Sequence, residues 1–181
     1  MMLRRAGYFI AISTVGLVAL LSCSTQEPEP IVEALSAEEI SAESLWTRIT
    51  ADAPFETYAY WPGHDGVRPG QAPHGEFHEI FINRNLIEAL PSTERIAPNG
   101  TIIVKKSLNA AADEVVNITV MAKVEGVNPE AGDWYWASYT PDGSVRVAGV
   151  VEGCIVCHSG MAENDYIIVR PLDSEIGTGE S

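Results

Sequence analysis

From residue 76 onward, apolar residues recur at every second position and are interrupted by short turn signals. A period of two places alternate side chains on opposite faces of an extended strand. The pattern predicts strands over 76–82, 101–106, 115–124, 133–140, 145–150 and 165–170, each carrying β-branched or aromatic residues. Pro98-Asn99-Gly100 and Pro141-Asp142-Gly143 supply turn chemistry, and the second, lying between two apolar runs, marks a hairpin. Connections this short join antiparallel neighbours, because a parallel crossover needs about a dozen residues or more. Ahead of the strands, Ser36-Ala37-Glu38-Glu39 has the form of a capping box. Ile40, Leu45, Trp46 and Ile49 then share one face of a helix predicted to end near Thr50. Residues 83–90 read as a short helix capped by Asn83, and the Gly- and Pro-dense stretch 61–74 as an irregular loop. The predicted class is α+β, a mainly antiparallel β-sheet with one or two flanking helices.

The ends of the chain read differently. Arg4 and Arg5 precede a mostly apolar run, 6–21, that closes with Leu20-Leu21-Ser22-Cys23, an ending that resembles a bacterial lipobox. The expectation is a signal over 1–22 and a lipidated Cys23, tethering the chain at the periplasmic or outer-membrane surface without crossing it. An ordinary cleaved signal or a transmembrane anchor are the alternatives, although the run is shorter than the roughly 20 residues a span needs. Residues 23–35, acidic and Pro-rich, are expected to form a flexible tether, 36–172 the folded domain and 173–181 a tail with little to bury. In the 181-residue chain, 11 basic residues stand against 25 acidic ones, a formal charge of −14. That balance disfavours nucleic acid as a partner and asks any electron-transfer partner to present a basic face.

Three cysteines are too few for a disulfide scaffold. Two of them lie in Cys154-Ile155-Val156-Cys157-His158, the spacing of a covalent haem c site: the thiols reach two vinyl groups and His158 binds the iron. A zinc site would need two further ligands, and His64, His74 and His78 form no tight pair at metal spacing. A redox-active dithiol would be expected in a βαβ setting, which this strand-rich chain lacks. Few residues follow His158, and Met161 lies too close to the attachment loop to reach the other face of the haem. The distal side must therefore come from upstream residues, and an open sixth position, with five-coordinate iron, is the expectation. His64, His74 and His78 read as surface or hydrogen-bonding residues in preference to sixth ligands. Trp134, Tyr135 and Trp136 read as packing the sheet and the haem edge.

Several pieces in order carry a resemblance. They are His74-Gly75, Asn99-Gly100-Thr101-Ile102-Ile103-Val104-Lys105-Lys106, Val120-Met121-Ala122-Lys123, Gly132-Asp133-Trp134-Tyr135-Trp136 with Pro141-Asp142-Gly143, the haem motif, and Asp165-Tyr166. The body from Trp61 to Pro171 resembles the cytochrome P-460 family, relatives of which include cytochrome c-prime-beta. The resemblance implies haem c bound against a mainly antiparallel sheet. It also implies that Lys105 matches the lysine linked to the macrocycle in the name-giving members, with Lys106 on the opposite face. Members that oxidise hydroxylamine use a distal carboxylate as proton relay; Thr119 stands near that place, and a hydroxyl is no base at neutral pH. Phe77, Phe81 and Met121 are apolar candidates for the distal wall, which would favour a neutral ligand. The expected function is an exported mono-haem protein that binds or oxidises hydroxylamine or nitric oxide, with homodimers usual among such proteins. The alternative is a non-enzymatic electron carrier or gas-binding haem module.

Overall fold

The computed structural model describes residues 33–92 and 94–174. The expected signal, Cys23, most of the tether and the end of the tail lie outside the described residues. No helix among the described residues is long and apolar enough to cross a membrane.

Seven strands form one antiparallel sheet: β1 (Ala59–Tyr60), β2 (Arg68–Pro69), β3 (Phe77–Ile82), β4 (Ile102–Leu108), β5 (Val115–Lys123), β6 (Trp134–Tyr139) and β7 (Val145–Gly149). The order is β1-β3-β4-β5-β6-β7, with β2 also paired to β3, so β3 to β7 follow one another as a meander. Short connections dictate the pairing of β4 with β5 and of β6 with β7, whereas β3 and β4 are joined by the longer segment 83–101 that carries a short helix. Alternation gives the sheet two apolar faces. One carries Phe81, Val104, Val120 and Tyr139 and is covered by Leu45 and Ile49 of the N-terminal helix. The other carries Ile80, Ile103, Trp134 and Trp136 and is covered by Trp61, Leu86, Ile167 and Leu172.

The N-terminal helix α1 (Ala42–Thr47) starts later than its sequence suggests. Ser36 and Glu39 do bond, but their bonds close a turn ahead of the helix. The true capping box is Ser41 with Ser44: the Ser41 hydroxyl accepts from Ser44 N at 3.0 Å, and Ser44 Oγ accepts from Ser41 N at 2.8 Å. A wider turn over Arg48–Asp52 continues α1 and keeps Ile49 in the core. Asn83 does precede a short helix, α2 (Arg84–Ile87), yet its side chain makes no cap. Instead its amide donates to Gly100 O at 2.8 Å and its oxygen accepts from Ile102 N at 2.9 Å, fastening the end of β3 to the start of β4.

Residues 165–170 form no strand, contrary to their alternating pattern. Asp165 and Tyr166 are both left-handed, with φ of 54° and 65°. The buried amide of Asn164 donates to Ile167 O and Arg170 O, and its oxygen accepts from Leu172 N. The segment wraps around one side chain, and that satisfies backbone groups a sheet would otherwise have to pair.

The β6–β7 hairpin tip packs on the α1 layer. Gly143 has φ of +89°, and a Cβ there would sit 2.7 Å from the Trp46 ring, which itself lies 4.8 Å from Tyr139. Gly143→Ala combines backbone strain with a clash and is expected to lower unfolding free energy by about 1–3 kcal/mol. A urea denaturation midpoint equal to that of the wild type would contradict this packing.

Candidate functional site

Helix α3 (Glu152–His158) brings the motif together. Positions three apart share a helix face, so Cys154 and Cys157 project side by side, with His158 in the last turn. Both thiols are free; Cys157 is exposed and Cys154 half-buried against the second apolar face. Burial, with Cys157 alongside, pushes the Cys154 thiol above its ordinary value.

The orientation of His158 is set by the wrapped segment that follows. Its Nδ1 lies 2.7 Å from the Tyr166 carbonyl oxygen. A carbonyl can only accept, so Nδ1 carries the proton and Nε2 keeps its lone pair. Metal-ligating histidines are held by this kind of bond, which fixes both tautomer and ring direction. The Tyr166 carbonyl is in turn positioned by Asp165. That carboxylate receives Lys123 Nζ at 2.7 Å on both oxygens and Ala97 N at 2.9 Å, while the Asp165 carbonyl accepts from Trp134 Nε1 at 2.8 Å. Lys123 also lies over the Trp134 ring, 5.0 Å from its centre. A buried ion pair between Lys123 of β5 and Asp165 of the wrapped segment thus steadies the carbonyl that aims the imidazole.

The sheet face beneath is built from β3 to β6. Lys105 on β4 pairs with Ile80 on β3 and Thr119 on β5, and Met121 pairs with Trp136 on β6. The Trp136 ring is 4.7 Å from that of His158. Burial holds Lys105 below the ordinary lysine value, and its charge acts on His74 and His158. Lys106 faces the other way and pairs with Glu79 at 2.5 Å, as strand alternation requires. Cys154, Cys157, His158, Lys105, Thr119 and Met121 therefore gather on one side of the sheet.

Phe81 does not join them. It packs against Phe55 and Tyr60 in the helical layer, and Phe77 shares its parity on β3, so the sheet separates both from His158. The residues of β3 on the site's face are His78, Ile80 and Ile82. His74, read from sequence as a surface or hydrogen-bonding residue, lies on the site's face and is half-buried there. Its ring centre is 6.4 Å from that of His158, and its Nδ1 lies 3.5 Å from Thr119 Oγ1. Burial first, then the charge of Lys105, pushes His74 and His78 each down to about 4.

His78 gives a pH prediction. Its folded value, about 4, lies below its ordinary 6.5, so between the two the unfolded chain binds the proton more readily. The stability it contributes is present above about pH 6.5 and is lost as pH falls toward 4. Thermal unfolding should therefore show a Tm that falls less steeply over this window in His78→Gln than in the wild type; parallel curves would contradict the assignment.

The residues fit haem c. Two free thiols sit on one helix face beside a histidine with Nε2 unengaged. On the same sheet face Trp136 Nε1, His78 Nδ1 and Ser107 Oγ are buried without hydrogen-bond partners among the described residues, as expected of a surface made to be covered. The family model for cytochrome P-460 matches residues 56–169. The chain belongs to the cytochrome P-460 family. No curated protein matches the sequence. The P-460 match spans every strand of the sheet, α3 and the Tyr166 carbonyl, so family and site rest on the same part of the chain. Membership makes this a haem cytochrome of P-460 type.

Proposed function

We propose that the protein is an exported mono-haem c cytochrome, lipid-anchored at Cys23, whose iron is held by His158 and binds a small neutral nitrogen compound on its other face. The bond from His158 Nδ1 to the Tyr166 carbonyl carries this reading, because it presents a fixed imidazole Nε2 next to two free thiols. Cys154 and Cys157 would hold the haem by each adding its S–H across one vinyl group, a C–S bond forming and the hydrogen going to the neighbouring carbon, with no oxidant required. When bound, the haem supplies an iron centre that accepts neutral nitrogen donors and exchanges electrons. Trp136 packs on the His158 ring, and Lys105 reaches the same side from β4, the position from which a link to the macrocycle would be made.

Thr119 occupies the place of a proton relay with a hydroxyl, which favours binding of nitric oxide over oxidation of hydroxylamine. The acidic chain adds that anions such as nitrite are attracted less than neutral ligands and that an electron-transfer partner presents a basic face. A homodimer completes the reading. Anaerobic addition of nitric oxide to the ferrous protein tests it. A stoichiometric shift of the Soret band is expected; a spectrum indifferent to nitric oxide would leave an electron carrier as the function. In the same preparation, a tryptic haem peptide containing the Lys105 segment as well as Cys154 to His158 is expected, and one lacking Lys105 rules out the link.

A further inference from the structure

We propose that the outer face of α3 is a docking surface for a one-electron redox protein whose own apolar patch is ringed by lysine and arginine. The proposal rests on the haem c reading above and places on the chain the basic partner named there.

Three observations carry it. The first is direction. Successive helical residues turn about 100° round the axis, so Val156 stands about 160° from both Cys154 and His158, and Glu152, four positions earlier, shares its face. A group attached to the thiols therefore leaves this face uncovered. The second is exposure. Val156, at 64%, is the most exposed large apolar side chain among the described residues, and Val150, just ahead of the helix, is 54% exposed. A Cβ built on Gly149, Gly153 or Gly160 would meet nothing within 4 Å, so no described element lies over the surface. The third is charge. No lysine or arginine occurs from 147 to 169, and the exposed charged residues of that stretch are Glu152 and Glu163.

An apolar centre with an acidic rim suits a small, short-lived interface: the apolar area holds the partner, and charge steers it and sets its orientation. Because the thiols lie across one helix, a partner seated here comes within about 10 Å of the attachment side. One electron then passes to the partner's metal centre, which is reduced as the haem iron is oxidised, and no bond or proton moves. The free edge of β7 is the nearest competitor, since Val145 and Val147 are also exposed, but Arg146 stands exposed between them and repels a basic partner.

Stopped-flow mixing of the ferrous holoprotein with ferric mitochondrial cytochrome c, a basic one-electron carrier, tests the proposal, with Val156→Lys, Glu152→Lys and Glu56→Lys as variants. The wild-type rate should fall steeply between roughly 10 mM and roughly 0.5 M salt, as exposed charges become screened. Val156→Lys and Glu152→Lys should slow the exchange about tenfold or more in low salt. Glu56→Lys makes the same change of net charge as Glu152→Lys at an exposed position outside α3, and should slow it about twofold or less. All four absorption spectra should coincide, because the substituted side chains point away from the thiols. A salt-independent wild-type rate, a Val156→Lys rate equal to it, an altered Val156→Lys spectrum, or equal slowing by Glu152→Lys and Glu56→Lys would overturn the proposal. The functional reading fails separately: a holoprotein indifferent to nitric oxide loses its ligand and keeps this docking face, whereas a chain that holds no haem loses both.

Discussion

Asp165→Asn is expected to lower unfolding free energy by about 3–5 kcal/mol, the usual cost of leaving a buried charge without its partner. The Asp165 and Lys123 side chains are only 6% and 10% exposed, so solvent cannot replace the lost carboxylate. Asp165 also receives Ala97 N and, through its own backbone, Trp134 Nε1, so the variant loosens the segment that carries the Tyr166 carbonyl. Two readouts separate stability from positioning. Urea denaturation gives the loss of stability, and the reduction potential of the bound haem reports whether His158 has lost its fixed hydrogen bond. The double variant Lys123→Met, Asp165→Leu removes both charges and should cost less than the two single substitutions added together, since an apolar pair of similar volume needs no compensation. A single-variant loss under about 1 kcal/mol, or strict additivity, would contradict the role given to this pair.

His158→Gly is the second large effect. The thiols of Cys154 and Cys157 remain, so haem should still be attached, but the ferrous spectrum should lose the signature of a histidine-bound iron. Free imidazole in the millimolar range should restore it, because the cavity left beside Trp136 and the Tyr166 carbonyl has the shape and the hydrogen-bond acceptor of the missing ring. A variant with an unchanged spectrum would show that His158 does not hold the iron. Loss of haem altogether would show that attachment depends on the ligand more than on the thiols.

How far the sequence could be read follows from how local each signal is. Strands β3 to β7 were legible because a period of two is written into each segment and turn signals stand between them. The same alternation correctly put Lys105 and Lys106 on opposite faces. It misled where parity was not followed through. Phe77 and Phe81 are apolar and near the right place in the chain, but His78 and Ile80 occupy the site's face, so Phe81 packs in the helical layer and Phe77 shares its parity. Residues 165–170 looked like a strand because Ile167 and Val169 alternate. The deciding groups are the Asn164 amide, which turns the backbone around itself, and the Asp165 carboxylate, which finds its partner 42 positions away on β5. Long-range pairing of that kind leaves no periodic trace. His74 is a similar case. Nothing in a Gly- and Pro-rich loop announces that its ring will face His158, since that depends on β2 and the Gly70–Glu76 bond closing the loop onto β3. Within the motif itself, by contrast, the spacing of Cys154, Cys157 and His158 already fixed which side chains one helical turn would present together.

The central claim is that α3 holds a haem covalently through Cys154 and Cys157, with His158 as its ligand. Mass spectrometry of the holoprotein under denaturing conditions, followed by mapping of the haem-bearing peptide, addresses it most directly. The account predicts an intact mass raised by one haem that survives acid denaturation, with the added mass on the peptide containing Cys154 and Cys157. A chain that sheds its haem on denaturation and leaves both thiols free to alkylate would contradict it.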